Sequence, residues 1–148
     1  MPKFGKTELS KRSEWWIPRA RYYELKWFCM QYTSWVRLRK DLIKIESNAN
    51  LMEERVDTSN LPDPTASTAM KIKFYDDRIK MIDRCMYEAA DGNEYAINML
   101  AEGICTGASY DKMGYRMEVG IPMISRDEYY DKYRKFFYLL DKERDPMP

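Results

Sequence analysis

The residues best suited to surface chemistry lie in Ser125-Arg126-Asp127-Glu128-Tyr129-Tyr130-Asp131-Lys132-Tyr133-Arg134-Lys135. An arginine just inside a serine-capped helix can make a bidentate contact to guanine. Ser125, Tyr130, Arg134 and Lys135 follow at spacings that can hold phosphates or base edges. Asp127, Glu128 and Asp131 share the same turns and would repel phosphate. A second cationic group, Lys11, Arg12, Arg19 and Arg21, supplies candidate phosphate contacts near the other end of the chain. It is interleaved with Trp15, Trp16, Tyr22, Tyr23, Trp27, Phe28, Tyr32 and Trp35. Aromatic rings among cations stack on bases, form a protein hot spot, or simply pack with their polar tips in water. Packing is the expectation for Tyr22, Trp27, Phe28, Tyr32 and Trp35; for Trp15 and Trp16 both roles stay open.

Other chemistries are excluded by what is missing. The chain contains no histidine, which removes the Ser-His-Asp and Cys-His nucleophile systems and every imidazole-based metal site. Cys29, Cys85 and Cys105 are odd in number and far apart, with no CxxC pair, so neither a disulfide framework nor a thiolate metal site is expected. Asp76 and Asp77 are adjacent and point in different directions, too few to hold a metal by themselves. No glycine-rich phosphate cradle is present. The expectation is a protein that is not an enzyme, with no cofactor and no metal.

These residues must be positioned by about one domain's worth of chain, 148 residues, 45% hydrophobic and 33% charged, as suits a globular protein rich in charged helices. Twenty-five basic residues face 24 acidic ones, a net charge of +1, so bulk positive charge does not drive binding. The distribution is uneven. Residues 1–40 carry ten basic and three acidic side chains, a surplus of seven, which points to a charged partner. The opening residues lack the apolar core of a signal peptide, and no apolar run approaches the ~18 residues that span a bilayer. A cytoplasmic protein without membrane contact is expected.

The periodicity is helical throughout, and the fold class it predicts is all-α. Tyr22, Leu25, Cys29 and Tyr32 form a first stripe after Pro18, with a break expected around Gln31–Ser34. Trp35, Leu38, Leu42, Ile45, Ala49, Met52 and Val56 then step 3-4-3-4-3-4, and Ile72, Tyr75, Ile79, Ile82, Met86 and Ala89 repeat the pattern. Such seams mark helix–helix contacts, within one chain or between two. Asp57–Pro64 between them is turn chemistry, so an antiparallel hairpin of 35–56 against 66–90 is predicted. After Asp91-Gly92-Asn93 come short helices at Glu94–Ile104 and Tyr110–Met117, then a longer one from Ser125 to Pro146 with Tyr129, Tyr133, Phe136, Phe137 and Leu140 on its apolar face. This is a trihelical unit of helix-turn-helix type, whose last helix enters the DNA major groove. The expected organisation is a basic aromatic arm over 1–18, a helical hairpin over 19–90 and the helix-turn-helix unit over 91–148, together one compact domain.

The chain also resembles small phage and prophage regulators of the ArpU and RinA type, whose end is similar to the helix-turn-helix of sigma factor region four. The likeness rests on Tyr22–Tyr32, on Asp63-Pro-Thr-Ala and on Ser109-Tyr-Asp-Lys-Met. It rests above all on Gly120-Ile-Pro-Met-Ile-Ser-Arg-Asp-Glu-Tyr-Tyr-Asp-Lys-Tyr-Arg-Lys-Phe-Phe-Tyr-Leu-Leu, which looks like that family's turn and recognition helix. The resemblance implies control of late genes by binding double-stranded promoter DNA, with contact to RNA polymerase. Two departures stand out: the turn over 117–124 is longer than a tight helix-turn-helix uses, and the reading helix has fewer bases than the arginine-rich versions. A homodimer would suit a palindromic site. The alternative is a helical adaptor or inhibitor that binds a host protein, RNA polymerase or a defence enzyme, without touching DNA.

Overall fold

The computed structural model describes residues 14–53, 64–116 and 124–145. Within them the protein is all-α: six helices run in the order α1 (Arg19–Cys29), α2 (Tyr32–Glu53), α3 (Pro64–Ala89), α4 (Glu94–Thr106), α5 (Tyr110–Arg116) and α6 (Arg126–Arg144), with no strand among these residues. No described helix is long and apolar enough to cross a membrane. Residues 1–31 and 81–148 form one compact unit and residues 32–80 another. The predicted turn at 57–63, the Gly120-Ile-Pro element and the basic residues Lys11 and Arg12 lie outside the described residues.

Local signals set the helix ends. Pro18 precedes α1, its carbonyl accepting from the Tyr22 amide at 2.9 Å. The expected phase break falls at Met30–Gln31, where α1 stops and α2 starts two residues later. Asn93 caps α4 by accepting from the Tyr95 and Ala96 amides, Ser109 Oγ accepts from the Lys112 amide at 3.3 Å in α5, and Ser125 Oγ accepts from Glu128 at 3.2 Å in α6. Each satisfies an amide that the first turn leaves without a carbonyl. Asp127 and Glu128 add favourable charge at the positive end of α6. Gly107 closes α4 at φ 74°, a conformation glycine adopts without a Cβ penalty.

In the residue 1–31/81–148 unit, α6 packs on both α1 and α4, and α5 packs on α4. The expected stripe of Tyr129, Tyr133, Phe136, Phe137 and Leu140 is the buried face of α6. Phe136 and Phe137 are fully enclosed, each worth about 1.5–3 kcal/mol of apolar burial. Tyr22 of α1 meets Phe137 edge-on at 5.0 Å, and its hydroxyl shares a buried 2.7 Å hydrogen bond with that of Tyr133. Against α4 the fit depends on a missing side chain, because a Cβ on Gly103 would lie 1.9 Å from the Tyr129 hydroxyl. That hydroxyl is buried with no hydrogen-bond partner among the described residues, and burial raises its pKa well above the ordinary phenol value.

The first unit's aromatic segment needs one correction. Tyr22 and Phe28 are buried, but Trp27 is 60% exposed. Two positions after Leu25, Trp27 is turned about 200° from the core-facing side of α1, and the Lys26 ammonium lies 6.0 Å from its ring centroid. In the unit of 32–80, Trp35 and Ile79 are buried and Arg39 of α2 bonds Asp76 of α3 at 2.8 Å, consistent with the hairpin.

Gly103→Ala should destabilise the protein by about 1–3 kcal/mol through overpacking, read as a lower urea midpoint. Tyr129→Phe, which removes a buried hydroxyl without a partner, should leave stability unchanged or higher and rescue most of the Gly103→Ala loss. Independent, additive effects would contradict this contact.

Candidate nucleic-acid interface

The start of α6 is built jointly by α5 and α6. Tyr110, the first residue of α5, donates its hydroxyl to the Ile124 carbonyl at 2.7 Å, and its amide approaches the Tyr130 hydroxyl at 3.4 Å. The first contact holds the backbone just ahead of the Ser125 cap, and the second ties the start of α5 to a side chain of α6. Arg126 follows, 58% exposed at its side chain. One guanidinium nitrogen donates to both carboxylate oxygens of Asp111, at 3.1 and 3.3 Å, and the guanidinium carbon lies 5.7 Å from the Tyr130 ring centroid. Exposed ion pairs of this kind contribute at most about 1 kcal/mol, so an incoming phosphate or guanine can replace Asp111 at little cost.

The remaining sequence candidates separate. Ser125 is spent on capping. Tyr130 stands beside Arg126 as described. Arg134 is largely enclosed, its side chain 20% exposed, with Asp131 at 3.9 Å. Lys135 and its neighbour Lys132 both reach Asp91, at 3.2 and 3.5 Å, and the Lys135 ammonium also lies 5.5 Å from the Trp15 ring centroid. Arg19 is exposed at the start of α1, 5.8 Å from the Tyr23 ring centroid. Arg21 has turned inward instead. It pairs with Asp141 at 2.6 Å, Asp145 at 2.9 Å and Glu24 at 3.0 Å, and against the cost of burial these carboxylates raise its pKa. No donor fork remains there for a phosphate. The structure therefore brings Ser125, Arg126 and Tyr130 into one exposed corner, while Arg134 and Lys135 stand further along α6 and Arg21 serves the α1–α6 contact.

Asp91 has a less obvious part. It ends α3 in the left-handed region at φ 53°, with the Gly92 amide returning to the Tyr87 carbonyl and the Asp91 amide to Glu88, a Schellman arrangement that ordinarily selects glycine or asparagine at this position. Lys135 and Lys132 both lie beside its carboxylate. The hydrogen bond from Lys135, and then the charges of Lys135 and Lys132, hold its pKa below the ordinary carboxylate value. Asp91, Asp111 and Tyr110 escaped sequence reasoning. Their partners lie 14 to 44 residues away, and no local periodicity signals such pairs.

The three thiols are pushed up by burial, Cys105 to about 11 and Cys29 and Cys85 in the same direction, which keeps them protonated and poorly nucleophilic. Cys85 donates to Glu143, which Arg84 also binds. No group of three or more Cys, Asp and Glu among the described residues is arranged to hold a metal ion. Comparison with protein-family models, with curated proteins and with solved structures finds no match.

Because its folded pKa is lowered, Asp91 contributes stability that is present above the unfolded carboxylate pKa and lost as the pH falls through the folded value. Asp91→Asn, which tolerates the left-handed backbone, should lower thermal stability at neutral pH and flatten its decline on acidification. A melting profile with the wild-type acid limb would contradict the pairing.

Proposed function

We propose that this chain is a phage-type transcriptional regulator of late genes that binds double-stranded DNA through the first turns of α6 and acts, without enzymatic activity or cofactor, in the cytoplasm of the host cell. The observation that carries the reading is Arg126: exposed, at the first position of a Ser125-capped helix, oriented by Asp111 and Tyr130 and displaceable from both. A guanidinium in that place is the commonest reader of guanine in the major groove. Arg19 supplies a further exposed cation, and Lys11 and Arg12 extend the basic segment by sequence. The α4–α5 connection of three residues, Gly107 to Ser109, matches a helix-turn-helix corner in length, whereas nine residues separate α5 from α6.

A second reading has its own support. Asp127, Glu128 and Asp131 are exposed beside Arg126, and Trp27 stands in solvent on α1. Carboxylates repel phosphate, and tryptophan is enriched among the hot spots of protein interfaces. These favour a helical adaptor or inhibitor that binds a host protein, RNA polymerase or a defence enzyme.

Selection of duplexes from a random pool, followed by salt titration, distinguishes the two. A regulator with about six phosphate contacts should enrich a defined site and give a log–log slope near −5. Arg126→Ala should cost about 1–3 kcal/mol and relax preference at one base position. No enriched site and a flat salt response would favour the adaptor.

A further inference from the structure

Arg126 is held on two sides and open on a third. Its Nη1 donates to both carboxylate oxygens of Asp111, and the Tyr130 ring centroid lies 5.7 Å from the guanidinium carbon. Its Nε and Nη2 form no hydrogen bond among the described residues. A guanidinium is a planar fork of donors, and two parallel N–H groups on one edge match the O6 and N7 acceptors of guanine. The Nε–Nη2 edge is such a pair, so Asp111 and guanine need not compete for the same nitrogen. Asp111 reaches Arg126 because Tyr110, next to it, donates to the Ile124 carbonyl at 2.7 Å. That bond draws the first turn of α5 to the residues just ahead of α6.

The charges at this corner separate a base from a phosphate. Asp111 is 67% exposed, and Asp127, Glu128 and Asp131 are exposed in the first two turns of α6. Like charges brought together oppose contact. These carboxylates therefore oppose a phosphate, whereas the groove edge of a base pair carries no net charge. Without Asp111, the arginine is also free to turn on its flexible stem toward the sugar–phosphate backbone. There it would add affinity but no sequence information. Asp111 thus bears on which part of a duplex Arg126 meets.

We propose that Asp111 is a positioning residue that sets base specificity: it keeps Nη1 of Arg126 in the complex, turns the Nε–Nη2 edge to guanine and holds the guanidinium off the phosphates. This rests on the DNA reading above. The test titrates the full chain as wild type, Asp111→Ala, Asp111→Asn, Arg126→Ala and the Asp111→Ala/Arg126→Ala double variant, at several salt concentrations. The probes are the duplex that wild type selects, the same duplex changed at the guanine where Arg126→Ala relaxes preference, and mixed-sequence DNA. Wild type should prefer that guanine by roughly 5- to 150-fold. Asp111→Ala, at an exposed position, should keep its helicity and lose most of the preference. It should also bind mixed-sequence DNA more tightly and steepen the log–log salt slope by about 1, as Arg126 gains a phosphate. Asp111→Asn retains an acceptor for Nη1 and should retain most of the preference. With Arg126→Ala in place, removing Asp111 should change base preference no further. If Asp111→Ala discriminates as wild type does while Arg126→Ala does not, the proposal is overturned and the DNA reading stands. Asp111→Asn that discriminates no better than Asp111→Ala would overturn it too. No selected duplex, or one whose preferences Arg126→Ala leaves intact, would overturn both.

Discussion

The aromatic face of α6 is the constraint on which the rest of the 1–31/81–148 unit depends. Tyr129, Tyr133, Phe136, Phe137 and Leu140 must all be covered, and no single neighbouring helix can cover them. α1 takes one flank through Tyr22, and α4 takes the other by giving up a side chain at Gly103, where Tyr129 sits. Close packing of this kind constrains where α6 can sit along α4. It also determines what α6 has left to offer. Along its middle the helix is largely enclosed, and its exposed residues fall at the two ends, Arg126, Asp127, Glu128 and Asp131 in the first two turns and Lys142 and Glu143 in the last.

Electrostatics follow from that packing. Once α6 is seated, its cations stand beside carboxylates from elsewhere in the same unit: Lys132 and Lys135 at Asp91, and Arg144 at Glu24. Arg21 reaches across from α1 to Asp141 and Asp145 at the other end of the helix. The basic surplus of residues 1–40 is thereby partly consumed inside the fold. Of the cations in the Ser125–Lys135 segment, Arg126 keeps the most accessible head, and its charged partner among the described residues, Asp111, is itself 67% exposed. The other cations of that segment stand beside carboxylates of the same unit, Lys132 and Lys135 at Asp91 and Arg134 at Asp131.

Much of this was legible in the sequence. Six helices follow from periodicity and caps, because Asn, Ser and Pro act within a turn of where they stand: the α1–α2 break, the Ser109 and Ser125 caps and the buried stripe of α6 are all local features. What sequence could not supply was contact at a distance. Arg21 and Asp141 are 120 residues apart, so a basic residue in an aromatic stretch gives no sign that it will be used as an internal tether. Trp27 was misread for a different reason. Its neighbours Leu25 and Phe28 are core residues, and bulk alone assigned it to their company, although the helical angle turns it to solvent. Asp91 is a second case of contact at a distance, its carboxylate meeting two lysines forty-odd positions later.

In the proposed function, the first turns of α6 are the surface that meets DNA. Amide hydrogen exchange on the full chain, with and without short mixed-sequence duplex DNA at low salt, examines it directly. Exchange should slow on DNA binding at residues 110–113 and 124–131 and stay unchanged over 133–140, which are already protected by the core. Bound DNA that leaves 124–131 unaffected while slowing exchange only in other helices would contradict it.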